Sequence, residues 1–301
     1  MGTGTRLRTA FVGFSLCLTM GCQSVLFGSL GIAGRGKGIE TRQGIIFDSA
    51  HKLALDVYRP VNASHAPIVV FFYGGTWKDG TRSWYRFVGE SLSKRGLVVV
   101  IPDYRKYPDV RFPTFMEDAA KATRWAYDHA QDFGGDPRAL FVMGHSAGAH
   151  IGALLATDAR YLQAVHMKPR DLTGFIGLAG PYDFAPTRDP ELQAIFGDTL
   201  KEQRVSQPVN YVDGDEPPML LLHGRSDTTV WPRNSEGLAA KLRVFGEFDD
   251  LKLYPGVGHS RILLSLAPLL SGWSPALVDT LSFINSQSAT STASEVHSTP
   301  P

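Results

Sequence analysis

Ser146 stands in the pentapeptide Gly144, His145, Ser146, Ala147, Gly148, which directly follows the apolar run Ala139 to Met143 and opens a helical pattern at Ala149. A serine on a tight strand-to-helix turn needs small neighbours because its backbone is strained, and there its hydroxyl stands clear of the sheet as a nucleophile. The helix that follows directs its positive end toward negative charge developing on an attacked carbonyl.

A serine hydroxyl is a weak nucleophile until a base takes its proton, and on such an elbow the partners follow in the order serine, acid, histidine. Of nine histidines, His51, His65 and His129 precede the elbow and His297 lies in a polar tail. His145 and His150 belong to the elbow and its helix, His166 to a polar stretch and His223 to a strand end. His259 remains, in the loop Gly256, Val257, Gly258, His259, Ser260. The acid should follow the preceding strand, Met219 to His223, and Asp227 does so through the turn Gly224, Arg225, Ser226. It would hold the His259 tautomer and stabilise the imidazolium. An Asx turn or a helix cap is the plainer reading of Asp227. Asp183 is the second candidate acid, whereas Asp213, Asp215 and Glu216 read as solvated loop charge.

Acyl transfer also needs donors for an oxyanion. Tyr73, Gly74, Gly75, Thr76 and Trp77 end a buried strand, and paired glycines there let backbone N–H groups face a bound oxyanion. Ala147, after the nucleophile, supplies another, while a hairpin turn is the alternative for the glycine pair. Trp77, Trp84 and Trp231 are candidates to line an acyl site, although aromatic residues are core residues more often than not.

The elements that must position these groups alternate β-rich runs with helical patterns from Gly44 onward, the signature of an α/β fold. Strands are expected at Gly44 to Phe47, Leu53 to Tyr58, Ile68 to Tyr73, Leu97 to Pro102, Ala139 to Met143, Gly174 to Leu178, Met219 to His223 and Leu251 to Tyr254. The unbroken apolar runs at 68–72 and 97–101 suit strands buried on both faces of a mainly parallel sheet. The first two strands alternate more and read as an edge hairpin. Phe115, Ala119, Ala122 and Ala126 repeat at helical spacing until Gly134 and Gly135. The segment from Pro181 to Pro218 lies between two of these strands and is short. A last helix is expected from Ser274 to Ser286, then a disordered Ser/Thr-rich tail over 287–301.

The 301 residues carry 30 lysines and arginines against 29 acids, so no charge excess draws the chain to nucleic acid. Its two cysteines, Cys17 and Cys22, both lie near the start, which excludes a disulfide scaffold and a Cys-based zinc site in the body of the chain. Arg6 and Arg8 precede an apolar run, Ala10 to Met20, closed by Gly21 and Cys22. This is the layout of a secretory signal over 1–21, followed by a membrane-proximal linker over 22–43 and a main domain over 44–286. The segment Leu18 to Cys22 resembles the lipobox of bacterial lipoproteins, with Thr19 where that pattern has leucine. The resemblance implies lipidation at Cys22 and an extracytoplasmic place in the cell envelope. An uncleaved transmembrane helix between Arg8 and Arg35 is the alternative.

With these residues in hand, the chain from Gly44 to Ser286 resembles the α/β-hydrolase superfamily. Within it the likeness is to small carboxylesterases of the hormone-sensitive-lipase-like, feruloyl esterase, prenylcysteine-methylesterase and kynurenine-formamidase kinds. Their HGGxW loop matches Tyr73 to Trp77, and their DYRL motif matches Asp103, Tyr104, Arg105 with Lys106 last. Their GHSAGA elbow matches Gly144 to Ala149, their LHGxxD matches Leu222 to Asp227, and their GxGH matches Gly256 to His259. Two positions of the loop depart: Tyr73 stands for histidine, and Thr76 for a third glycine. The resemblance implies a mostly parallel twisted sheet of about eight strands with a small cap. It implies a serine carboxylester hydrolase on a small-molecule ester, without metal or cofactor. Ser146, His259 and Asp227 would form the triad, with Gly75, Thr76 and Ala147 as oxyanion donors and Gly74 making the turn. A formamidase-type amidase is the alternative in the same class, and a catalytically idle, membrane-tethered binding module the alternative outside it.

Overall fold

The computed structural model describes residues 38–247 and 249–296. The expected signal, residues 22–37 of the expected linker with Cys22, and the end of the tail lie outside the described residues, whereas 39–43 of that linker already belong to a strand that starts at Ile39. Among those described, no helix is long and apolar enough to cross a membrane.

One eight-stranded sheet organises the domain, with strand order β1-β2-β4-β3-β5-β6-β7-β8. The strands are β1 Ile39–Asp48, β2 Leu53–Pro60, β3 Ala66–Phe72, β4 Val98–Pro102, β5 Gly135–His145, β6 Gly174–Leu178, β7 Met219–Gly224 and β8 Asp249–Tyr254. β3 to β8 pair in parallel, while β2 runs antiparallel to both β1 and β4. The expected edge hairpin is present, yet only β1 is open to solvent. β2 is buried over most of its length because α1, Arg86–Ser93, lies on it so closely that Gly89 leaves no room for a Cβ beside Tyr58.

Two further helices show why the central runs lack alternation. Neighbouring residues of a strand face opposite sides of the sheet. Val142 of β5 meets Gly152 of α3, Ala147–Thr157, whereas Phe141 meets Phe283 of α9, Ala276–Val296. A strand covered on both sides must be apolar at every position. The other helices are α2 Thr114–Asp128, α4 Ala159–Gln163, α5 Pro190–Phe196, α6 Leu200–Arg204, α7 Arg233–Val244 and α8 His259–Leu264. α5 and α6 fill the segment between β6 and β7 and form the small cap, each started by a side-chain cap from Asp189 or Thr199. α9 corrects one expectation: it runs on to Val296 instead of ending near Ser286, so helix occupies ground assigned to a disordered tail.

Candidate active site

The elbow is built where β5 turns into α3. Ser146 holds φ 55° and ψ −123°, a region that costs a non-glycine residue on the order of 1–3 kcal/mol. Its N–H donates to the Leu178 carbonyl at the end of β6, which pins the turn. The flanking glycines are there for space. A Cβ on Gly148 would lie 2.0 Å from the Phe72 carbonyl oxygen, and one on Gly144 would lie 2.3 Å from the Gly148 oxygen.

Ser146 and His259 are brought together from 113 residues apart in the chain, Oγ to Nε2 at 2.9 Å, and His259 Nδ1 donates to Asp227 Oδ2 at 2.7 Å. Asp183, the second candidate acid, is held to Asn234 through its main-chain N–H, while the carboxylate that reaches His259 is that of Asp227. Both readings of Asp227 hold at once. Its Oδ1 closes an Asx turn, accepting from the N–H groups of Thr229 and Val230 at 2.9 Å each, and this leaves Oδ2 for the histidine. Burial opposes ionisation of Asp227, but hydrogen bonds from His223 and His259 outweigh it and hold the carboxyl well below the usual carboxylate range.

His223 is a residue whose part the sequence reading missed. Its Nε2 lies 2.9 Å from the Val230 carbonyl and 3.3 Å from Asp227 Oδ2, and its Nδ1 lies 2.7 Å from the Ser235 hydroxyl. A carbonyl only accepts, so Nε2 carries the proton and faces the acid. The signal was available: a histidine ending the apolar run Met219 to Leu222 must find buried partners. His145 was also set aside, yet its Nε2 donates to the His259 carbonyl at 3.0 Å and ties the elbow to the histidine loop. Burial and the neighbouring His259 push its pKa down to about 3, so it stays neutral.

The loop after β3 is fixed by its carbonyls. Gly75, at φ 137°, accepts at its carbonyl from the N–H groups of Lys78 and Asp79, and a Cβ there would lie 2.2 Å from the Asp79 oxygen. The Gly74 carbonyl accepts from the Tyr85 hydroxyl at 3.1 Å, and that of Tyr73 from the Tyr104 hydroxyl at 2.9 Å. Gly74, Gly75 and Thr76 border the same cavity as Ser146 and His259. Ala147 opens α3, so its N–H has no acceptor within the helix.

The departure at Tyr73 and the lysine that ends the second motif, Lys106, explain one another. Tyr73 donates to Asp103 at 2.7 Å while accepting from Lys106 Nζ at 3.0 Å, so the phenol in place of histidine is matched by the lysine in place of leucine. Burial keeps the Tyr73 phenol protonated and thus a donor. Asp103 also binds Arg82, which extends the brace to Asp56.

The cavity measures about 440 Å³, and Trp77, Trp84 and Trp231 all line it, each differently. Trp77 is buried, its Nε1 donating to His150 Nδ1 at 3.2 Å and its ring meeting Phe196 of α5 edge-on. His150 in turn donates from Nε2 to the Ser206 carbonyl, and burial pushes its pKa down to about 4. Trp77 is therefore core and wall together. Trp84 is half-buried, and Trp231 stands 61% exposed at the rim. Phe184 and Leu192 of the cap add apolar lining, and Lys78 pairs with Glu191 to tie the glycine loop to α5.

Among the described residues, Asp48, His51 and Asp118 bring possible metal-ligand atoms together, far along the chain from the elbow. Lys121 already binds Asp48, and Arg105 binds Asp118 through both oxygens, so these carboxylates are neutralised by cations of the chain itself.

Residues 55–242 match the family model BD-FAE. The isoprenylcysteine alpha-carbonyl methylesterase ICME of Arabidopsis thaliana is 28% identical over 82% of this chain and 63% of its own length. Esterase LipC of Mycobacterium tuberculosis is 30% identical over 74% of this chain and 60% of its own. The chain thus spans about three fifths of the length of these curated relatives. Esterase B of Lactobacillus rhamnosis, solved with a C6-C4 SN3 inhibitor, superposes with a TM-score of 0.76 at 20% identity, covering 91% of this chain and 96% of that one.

Proposed function

The chain belongs to the BD-FAE family and has the α/β-hydrolase fold, and from that premise we propose that it is a serine carboxylester hydrolase working through an acyl-enzyme. The observation that carries the reading is the unbroken series from Ser146 Oγ through His259 to Asp227 at the floor of a cavity bordered by a glycine loop.

Ser146 Oγ attacks the ester carbonyl as His259 Nε2 takes its proton. Asp227 stays ionised and steadies the imidazolium. The N–H groups of Gly75, Thr76 and Ala147 receive the oxyanion, and losing one such donor costs about 3 to 4 kcal/mol of transition-state stabilisation. Collapse expels the alcohol, which leaves with the proton from His259. Water, deprotonated by the same imidazole, then attacks the acyl-serine and releases the acid. Trp77, Trp84 and Trp231 surround the substrate. The relatives named as esterases support an ester in preference to an amide.

Steady-state assays on p-nitrophenyl acetate, p-nitrophenyl butyrate and N-formylkynurenine test this. Higher kcat/KM on the aryl esters is expected, with a burst of p-nitrophenol. Faster cleavage of N-formylkynurenine would replace the esterase reading by the amidase one.

A further inference from the structure

The two peptide units of the glycine loop are held by different means. A trans peptide is planar, with its carbonyl and its N–H pointing in opposite directions, so whatever grips the oxygen also aims the hydrogen. The Gly75–Thr76 unit is gripped by main chain, through the N–H groups of Lys78 and Asp79, and any residues able to make that turn would do it. The Gly74–Gly75 unit is gripped by a side chain, the Tyr85 hydroxyl on the Gly74 carbonyl.

We propose that Tyr85 is a positioning residue that aims the Gly75 N–H at the oxyanion. The inference rests on the acyl-enzyme reading and deepens it. Glycine resists rotation of its own backbone least of all residues, and this peptide joins two of them, so an external hold is what makes its direction definite. Tyr85 is suited to provide one. It is buried at the end of a short 3₁₀ turn, Arg82–Tyr85, stacked on Tyr73 with ring centroids 5.2 Å apart and tilted against Phe71 at 5.9 Å. Burial raises its phenol far above the physiological range, so the hydroxyl keeps its proton and donates. Tyr85 also lines the cavity that Gly74, Gly75 and Ser146 line, and its hydroxyl reaches the Gly74 carbonyl.

Tyr85→Phe removes the hydroxyl and keeps the ring and its stacking. The full chain is assayed with a p-nitrophenyl ester and with an aryl trifluoromethyl ketone, whose serine adduct carries an oxyanion. We expect kcat to fall and the inhibition constant of the ketone to rise, each about tenfold, with KM within twofold of wild type and circular dichroism unchanged. 4-Aminophenylalanine at position 85 restores a donor and should recover most of both losses. A Phe variant with wild-type kcat and ketone affinity would overturn the proposal. So would a loss, whether from misfolding or otherwise, that the amino analogue does not recover, because that would assign Tyr85 to packing alone. Wild-type protein that neither turns over ester nor binds the ketone would instead overturn the acyl-enzyme reading.

Discussion

Ser146→Ala is expected to lower kcat on p-nitrophenyl esters by about 10⁶-fold while leaving KM within a few-fold of wild type, measured in steady state on the purified protein. The size follows from what is lost. Ser146 Oγ is the hydroxyl that reaches His259 Nε2, so removing it abolishes the acyl-enzyme and leaves direct attack by water. In serine hydrolases the parts of a triad act as a unit, and loss of the nucleophile costs about as much as loss of the whole set. The remaining advantage over uncatalysed hydrolysis, about 10³- to 10⁴-fold, comes from binding and oxyanion donors that the substitution does not touch. The cavity walls are tryptophans and cap residues, which explains why KM should hold. A variant that kept more than about a hundredth of wild-type turnover would move the nucleophile elsewhere.

His259→Ala is expected to fall as far as the serine variant, and Asp227→Asn less far, by about 10⁴-fold. The second result can be traced atom by atom. Oδ1 of Asp227 accepts two backbone N–H groups, from Thr229 and Val230, so an asparagine would turn its own oxygen to that side. Its NH₂ would then face His259 Nδ1, which must give up its proton to accept. The imidazole would carry its hydrogen on Nε2, facing Ser146, and cease to be a base toward it. Because the wild-type carboxyl is held well below the usual carboxylate range, Asp227 is ionised throughout any practical assay, and no limb of the activity profile should belong to it. An Asp227→Asn variant within tenfold of wild type would show that His259 keeps its tautomer without the acid.

The strands and the elbow were legible because each rests on local pattern. Apolar runs such as Val69 to Phe72 state their double burial directly, and GxSxG acquires meaning from the strand before it and the helix after it. The order of motifs along the chain pointed to His259 and to Asp227 ahead of Asp183, and the fold brings the first two into hydrogen-bond reach of each other and His259 into reach of Ser146. What escaped depends on contacts between distant segments. Tyr73 and Lys106 each looked like a lone departure, and only folding brings them to 3.0 Å. His223 was legible as a strand residue, while its place against Asp227 follows from how the loop to Val230 folds back. Tyr85 lies in an irregular stretch with no periodicity to mark it. β2 read as one arm of an edge hairpin, and nothing in its own residues announces that α1 will cover it. The polar composition after Ser286 suggested disorder, whereas α9 continues through it from a first half packed by Ala276, Leu277, Phe283 and Ile284.

The acyl-enzyme at Ser146 is tested most directly by reacting the protein with a fluorophosphonate and measuring intact mass, followed by peptide mapping. A single adduct on the peptide containing Ser146, absent from the Ser146→Ala variant and competed by ester substrate, is the predicted result. Folded protein that takes up no adduct, or carries it on another residue, would contradict it.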